Sequence, residues 1–180
     1  MREINIRKLS KRYDVRKLNS DDVQMIYLFC KKNTQYYKYC GKELTIDLIE
    51  KDLEITPPGI PIEQKYYIGF FDNDNLVAIM DLEDGYPNKN YVYIGFFMMG
   101  CELQGKGIGS IIISEALEYL HEQGFQKSQL GIDKDNPQSN HFWRKNGFEV
   151  IREVEIEEGI ILVAEKQLSH IRKFDKNLTR

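Results

Sequence analysis

A glycine-rich segment, Gln104-Gly105-Lys106-Gly107-Ile108-Gly109, lies between an apolar run and a pattern typical of a helix. The apolar run, Tyr91 to Met99, has the composition of a buried strand. A strand that leads through such a turn into a helix leaves backbone N–H groups free at the helix N-terminus, where the helix dipole favours an anion. Glycines let a phosphate approach the main chain closely. The segment therefore predicts a phosphate-bearing ligand between a strand and a helix.

Two phosphate-binding motifs fit this segment only in part. A P-loop, G-x-x-x-x-G-K-[ST], aligns with Gly100, Gly105 and Lys106. Its last position is Gly107, so the hydroxyl that would bind Mg²⁺ is missing. A dinucleotide-binding turn, G-x-G-x-x-G, aligns with Gly105 and Gly107 but has Ser110 in place of its third glycine. A plain glycine turn without a ligand is a further alternative.

A third motif, Q/R-x-x-G-x-G/A, matches at every defined position, Gln104, Gly107 and Gly109. Further along, Asn136 to Phe148 reads NPQSNHFWRKNGF, an asparagine before a short helical pattern that ends in an aromatic residue and Gly-Phe. In this order the two motifs resemble the Gcn5-related N-acetyltransferase (GNAT) superfamily, and in particular its bacterial members that act on small substrates. The resemblance covers about residues 13–168 and is strongest over 91–148.

The resemblance implies an α/β GNAT fold, a mixed central sheet of about six or seven strands flanked by about four helices, as a single domain over residues 1–180. Periodicity and turn signals along the chain agree with alternating strands and helices. The predicted strands are 13–18, 65–71, 76–82, 91–99, 128–133, 149–156 and 160–166. The predicted helices follow residue 20, begin near 45, cover 108–123 and begin at 137. Residues 83–90 are predicted as a polar loop, and 169–180 as a frayed basic tail.

Composition excludes several classes of protein. The formal net charge is −3, which gives no reason to expect nucleic acid as a partner. No run of about 18 apolar residues exists, so no membrane span is expected, and the N-terminus lacks the apolar region of a signal peptide. Three unpatterned cysteines fit free thiols in the cytoplasm, and the three histidines share no metal-ligand spacing, so we predict a cytoplasmic protein without a metal.

The cofactor site implied by the resemblance combines backbone and loop positions. Main-chain groups of Phe97, Met98 and Met99 would pair with the pantetheine arm of acetyl-CoA, and the Phe97 amide would donate to the acetyl oxygen. The loop amides would hold the pyrophosphate beside Lys106. The full set is Phe97, Met98, Met99, Gln104, Gly105, Lys106, Gly107, Ile108, Gly109, Ser110, Asn136 and Trp143. Core packing for the strand residues, helix capping for Asn136 and solvation for Lys106 are the competing interpretations.

The general base is not fixed by the resemblance. The histone-acetylating branch has a glutamate eleven residues before the loop glutamine, where this chain has Tyr93. Asp81 and Glu83, at the end of the preceding strand, and Tyr86 in the following loop are the candidates for catalysis, together with the Phe97 amide. Solvated surface carboxylates and an ordinary loop are the competing interpretations.

The general acid of many relatives is a tyrosine on the last short helix, at the position of Trp143. An indole N–H donates a hydrogen bond but does not give up its proton. A thiol with a pKa of about 8.5 is a good leaving group without an acid, so the absence of the tyrosine is compatible with turnover.

The predicted function is acetyl-CoA-dependent N-acetylation of a primary amine in a small molecule or peptide, with CoA as product. The alternative is a non-catalytic acetyl-CoA sensor or interaction module. The acceptor is expected near residues 33–40, which form either an aromatic box for an amine or a half-buried lid. The acidic residues 47, 50, 52 and 54 would suit a polyamine, and the alternative is that they form only a solvated helix face. Homodimers are common in the family, so a homodimer is a further expectation.

Overall fold

Seven strands form one sheet in the order β1-β2-β3-β4-β5-β7-β6, in a computed structural model that describes residues 2–169. The strands are β1 Asp14–Lys17, β2 Lys65–Asp72, β3 Asn75–Asp84, β4 Tyr91–Met99, β5 Lys127–Asp133, β6 Glu149–Ile156 and β7 Gly159–Gln167. The helices are α1 Val23–Lys31, α2 Thr34–Tyr39, α3 Ile46–Glu54, α4 Ile108–Glu122 and α5 Pro137–Lys145. Short 3₁₀ turns lie at Ile6–Lys8, Ser20–Asp22, Ile62–Gln64 and Cys101–Leu103. All neighbouring strands are antiparallel except β4 and β5, which run parallel.

The sheet has a hydrophobic cluster on each face. Along β3, Ile79 packs with α1 and α3, whereas Ala78 and Met80 pack with α4 and α5. This alternation follows from the period of two in a strand. The helices therefore sandwich the sheet, with α1 to α3 on one face and α4 and α5 on the other, and β4 lies in the middle of the sheet.

The mixed α/β fold predicted from the sequence is confirmed, and two local predictions are corrected. The sheet is flanked by five α-helices rather than about four, because 34–39 forms the short helix α2. Strand β3 continues to Asp84, since Lys65 at the start of β2 pairs with Glu83, so Glu83 lies in a strand and not in a loop. The predicted tail lies, apart from Ser169, outside the described residues.

Candidate active site

Strands β4 and β5 pair over only part of their length. The parallel ladder joins Tyr91–Ile94 to residues 127–130 and then stops, although both strands continue. On its other edge β4 has a bulge, because Leu82 of β3 faces Ile94 while Asp81 faces Phe96, which leaves Gly95 as the extra residue. A bulge bends its strand, and a cleft opens between the two strands beyond this point.

The first cleft, here called the donor cleft, has a volume of about 510 Å³ and lies between the second half of β4, the glycine loop and α5. It contains most of the residues that the sequence suggested for acetyl-CoA. Those lining it are Phe97, Met98, Met99, Gln104, Gly105, Gly107, Gly109, Ser110, Asn136 and Trp143. Lys106 and Ile108 do not line it, since Lys106 is exposed and Ile108 packs against the core.

The glycine loop has the geometry that phosphate binding requires. Gly105 and Gly107 have φ angles of +74° and +78°, which favour glycine, and no heavy atom lies within 4 Å of a Cβ built on either residue. Gly107 is the N-cap of the 15-residue helix α4 and brings no side chain to cap it. The first N–H groups of a helix lack partners within the helix. The loop is therefore an open cradle at the positive end of a long helix, and it fits a pyrophosphate.

Gln104 braces this loop from two sides. Its amide nitrogen donates to Asn33 Oδ1 at 2.6 Å and to the Met99 carbonyl at 3.2 Å, and its Oε1 accepts from Gln138 at 3.0 Å. The glutamine of the motif therefore joins the loop to the α1–α2 connection and to α5.

Aromatic rings form the end wall of the donor cleft. Trp143 is buried, with Phe97, Phe142 and Phe148 within ring-centroid distances of 5.0–6.0 Å. The tryptophan at the family's tyrosine position is thus a packing residue beside the cleft. Asn136 accepts from the Ser139 amide at 3.0 Å and caps α5, while it also lines the cleft.

A second cleft, here called the acceptor cleft, lies on the other side of the β4 bulge and also has a volume of about 510 Å³. Helices α2 and α3 form one wall and the β6–β7 hairpin the other. The residues common to both clefts are Tyr36, Gly95, Phe96, Gly131, Asn136 and Ser139. A ligand in one cleft can therefore reach a ligand in the other at Gly95 and Phe96.

Helix α2 supplies the aromatic residues of this second cleft. Tyr36 and Tyr37 are half-buried and pack edge to face at 5.1 Å, and Tyr36 packs in the same way on Phe96 at 5.4 Å. The segment predicted as a box or a lid is a short helix that covers the junction of the clefts.

Asp81 and Glu83 line the acceptor cleft on one face of β3, and neither is a solvated surface carboxylate. Their exposed fractions are 6% and 3%, and that of Lys65 on β2 is 3%. The Lys65 ammonium donates to Asp81 Oδ2 at 2.5 Å and to Glu83 Oε1 at 3.4 Å. The sequence-based alternative of surface carboxylates is therefore wrong, because the register of β2 and β3 buries them with a lysine.

Burial raises the pKa of Glu83, and the charge of Asp81 raises it further, while Lys65 acts in the opposite direction. Burial also raises the pKa of Asp81, which Lys65 lowers in part. Asp81 Oδ1 and Glu83 Oε2 are buried and have no hydrogen-bond partner among residues 2–169. Two buried carboxylates that share one ammonium form a group able to hold a proton.

Tyr86 lies outside both clefts, where its ring packs edge to face on Tyr93 at 5.2 Å. Tyr93 lines the acceptor cleft, and burial followed by the charge of Glu83 raises its pKa to about 12. The structure therefore does not bring Tyr86 together with the carboxylates.

Two residues of the site were missed in the sequence. Lys65 gave no signal, since a lysine at the start of a strand is usually exposed. Gly95 interrupts an apolar strand, and an isolated glycine in such a pattern indicates a bulge or a close approach of other groups. A Cβ on Gly95 would lie 3.0 Å from Glu83 Oε1 and 3.1 Å from Asp81 Oδ2.

Comparisons with known proteins identify the family of this chain. The model of the acetyltransferase (GNAT) family matches residues 25–148, so the chain belongs to that family and is an N-acetyltransferase. A comparison with curated protein sequences finds no match.

Solved structures of acetyltransferases share the fold at low sequence identity. An acetyltransferase from Thermus thermophilus is 20% identical, with 86% of this chain and 96% of that chain covered and a TM-score of 0.67. The PaiA N-acetyltransferase from Thermoplasma acidophilum, solved in complex with coenzyme A, is 18% identical, with 86% and 98% covered and a TM-score of 0.62. A spermidine N-acetyltransferase SpeG chimera from Vibrio cholerae and hSSAT is 18% identical, with 88% and 96% covered and a TM-score of 0.64.

Residues 2–169 contain neither a metal-binding cluster nor a membrane-spanning helix. No group of three or more histidine, cysteine, aspartate or glutamate side chains in this part of the chain is arranged to hold a metal ion. Within the same residues, no helix has the length and apolar character to cross a membrane.

Proposed function

We propose that this protein transfers the acetyl group of acetyl-CoA to a primary amine of a small molecule or peptide, by direct attack within a ternary complex. The observation that carries the proposal is the junction of the two clefts at Gly95 and Phe96, with a buried pair of carboxylates on the acceptor side. Placing donor and acceptor on either side of one strand turns the transfer into a reaction between held groups.

The reaction first requires that the acceptor ammonium lose a proton. An ammonium cannot attack a carbonyl, so a base must take its proton. Glu83 is the proposed base, with Asp81 sharing the proton, because the unpaired oxygens Glu83 Oε2 and Asp81 Oδ1 belong to residues that line the cleft. Lys65 acts as a positioning residue that fixes the other two oxygens.

Acetyl-CoA, when bound, supplies a thioester, whose carbonyl carbon is open to attack and whose thiolate leaves. Glu83 first takes one proton from the ammonium. The neutral nitrogen then bonds to the carbonyl carbon as the carbon–sulfur bond breaks, and the second proton that this nitrogen loses on becoming an amide goes to the leaving thiolate, which gives CoA as a thiol. The Phe97 amide is the proposed donor to the developing oxyanion, and the loop amides of Gly105 to Ser110 are proposed to hold the pyrophosphate. No side chain is assigned as the general acid that would protonate the thiolate, because Trp143 occupies the position of the tyrosine that many relatives use and its indole N–H does not give up a proton.

A covalent route through a cysteine is less well supported. Cys101 lines the donor cleft but is exposed, and its thiol lies 3.2 Å from Glu102 Oε2. This hydrogen bond raises the pKa of Cys101, which opposes the thiolate that a nucleophilic cysteine needs. Direct attack by the amine therefore fits the site better than an acetyl-cysteine intermediate.

The test is release of the CoA thiol over a panel of polyamines, amino acids, aminoglycosides and N-terminal peptides, with the acetylated product identified by mass spectrometry. We expect turnover with at least one amine class, and intersecting initial-rate plots when both substrates are varied. Parallel plots would indicate a covalent intermediate and overturn the direct mechanism. Binding of acetyl-CoA without thiol release with any amine would support the non-catalytic alternative.

A further inference from the structure

The acceptor cleft carries an excess of negative charge. The acidic residues that line it are Asp52, Asp81, Glu83, Asp133 and Glu158. Among its described lining residues Lys42 is the single basic one, and the Lys65 ammonium lies behind the cleft, bound to Asp81 and Glu83. Carboxylates that are removed from water without enough cations are costly. The cleft therefore favours a ligand that brings positive charge, and it disfavours one that carries a carboxylate.

Asp52 on α3 belongs to the same charge cluster but stands apart from the β3 pair. Asp52 and Asp81 line the same cleft, and the charge of Asp52 contributes to the raised pKa of Asp81. Burial raises the pKa of Asp52 itself, and Lys42 and Lys65 lower it only in part. No side chain of residues 2–169 forms a hydrogen bond or an ion pair within 4.0 Å with Asp52. Asp52 is thus a second anionic position on a different element.

Asp81 and Glu83 form the first anionic position, and each has one carboxylate oxygen without a hydrogen-bond donor in the described part of the chain. Asp81 Oδ1 and Glu83 Oε2 have no hydrogen-bond partner within the described chain, and both residues are more than nine-tenths buried. A buried acceptor without a partner costs free energy that a ligand ammonium would recover. These oxygens are also the ones proposed to receive the amine proton.

An aromatic surface accompanies both carboxylate positions. Tyr67 lines the cleft together with Asp52 and Asp81, and burial raises the pKa of its hydroxyl, with a contribution from the charges of both carboxylates. The Tyr67 ring stacks on Phe96 with centroids 6.4 Å apart, and both rings line the cleft. Such a surface suits methylene groups and the faces of ammonium ions.

Resting on the proposed function, we propose that the acceptor is an aliphatic diamine or a longer polyamine. Its reacting amine lies against Asp81 and Glu83, its second ammonium lies against Asp52, and its methylene chain packs on Tyr67 and Phe96.

Matched amines test this inference in the intact protein. The value of kcat/KM is measured by CoA release for 1,4-diaminobutane and n-butylamine, and for 1,5-diaminopentane and n-pentylamine. We expect each diamine to exceed its monoamine at least about tenfold, the effect of one charge-assisted hydrogen bond. A ratio near one overturns the inference while turnover leaves the proposed function standing. Failure of every amine class to release thiol overturns the proposed function itself.

Variants of Asp52 connect the preference to the residue. In Asp52→Asn the diamine-to-monoamine ratio should fall about tenfold, whereas Asp52→Glu, which keeps the charge, should retain most of it. Of the four acidic residues of α3 that the sequence suggested for a polyamine, Asp52 alone lines the cleft. Asp47→Asn, at an exposed position of the same helix outside the cleft lining, is therefore the matched control and should retain the full ratio. An unchanged ratio in Asp52→Asn, with a normal KM for acetyl-CoA as evidence of folding, would overturn the assignment.

Discussion

Burial makes Glu83 suited to accept a proton near neutral pH. An ordinary glutamate has a pKa of about 4.3 and is too weak a base to take a proton readily from an ammonium. Burial and the charge of Asp81 raise the pKa of Glu83. The ammonium of Lys65 lowers this pKa in part, because it stabilises the ionised carboxylates. Asp81, Glu83 and Lys65 therefore together determine the pKa of the proposed base.

Replacing Glu83 with glutamine should remove the rising limb of the pH–rate profile. The pKa of Glu83 is raised to about 8. A general base acts when it is deprotonated, so kcat/KM of the wild type should rise with pH through this value. In Glu83→Gln we expect kcat to fall at least about 100-fold, with little change in KM for acetyl-CoA. The measurement is steady-state kinetics from pH 6 to pH 9 (roughly the range that brackets this titration).

The matched control is Glu54→Gln at the exposed end of α3, which should keep the wild-type profile. A wild-type rising limb in Glu83→Gln would show that Glu83 is not the base.

The sequence indicated this part of the site only in outline. Asp81 and Glu83 are two residues apart at the end of a predicted strand, and this spacing puts both side chains on one face. Their environment was not predictable, because it depends on pairing with Lys65, sixteen residues earlier than Asp81 and on another strand. Long-range register decides whether a carboxylate is solvated or buried, and composition does not carry that information.

Among the secondary-structure elements, strand β4 connects the two clefts. Its first half pairs with β5, and its second half borders the donor cleft. Gly95 lies where the two halves meet, and the absence of a side chain leaves room for the carboxylates of β3. The same bulge therefore opens the sheet and admits the proposed base.

Substitution of alanine at Gly95 should disturb the carboxylates more than the fold. Its Cβ would lie 3.0–3.2 Å from oxygens of Glu83 and Asp81, which must move. Because a small displacement of a reacting group is costly, we expect kcat to fall about ten- to a hundredfold in Gly95→Ala. Gly100→Ala at the end of the same strand meets only ordinary contacts near 3.5 Å and should keep kcat. Wild-type kcat in Gly95→Ala would contradict the proposed role of the bulge.

The long elements of the fold could be predicted from local patterns, whereas α2 could not. Helix α4 follows a glycine loop and carries a regular apolar stripe, and β4 is an apolar run with one glycine, Gly95. Helix α2 has only six residues, which is too short for stability by itself. Packing of Tyr36 on Phe96 holds it in place, and that contact joins distant parts of the chain.

At the scale of the whole molecule, the site arises from parts that are far apart in sequence. The acceptor cleft lies between α2 and α3 near the N-terminus and the β6–β7 hairpin near the C-terminus. A Cβ on Gly41 would lie 3.4 Å from the Glu158 side chain, which shows how closely these two walls approach. The two motifs in the sequence predicted the donor side, but the acceptor side has no motif and depends on the assembled fold.

Isothermal titration calorimetry with acetyl-CoA measures whether the glycine loop and the second half of β4 hold this ligand. Gly107→Glu places a carboxylate in the proposed phosphate cradle. Gly59→Glu is the matched control, since Gly59 has a similar φ of +83° and an equally open Cβ position away from both clefts. We predict one acetyl-CoA per chain for the wild type and for Gly59→Glu, and loss of binding in Gly107→Glu. Absence of binding to the wild type, or unchanged binding in Gly107→Glu, would contradict the account.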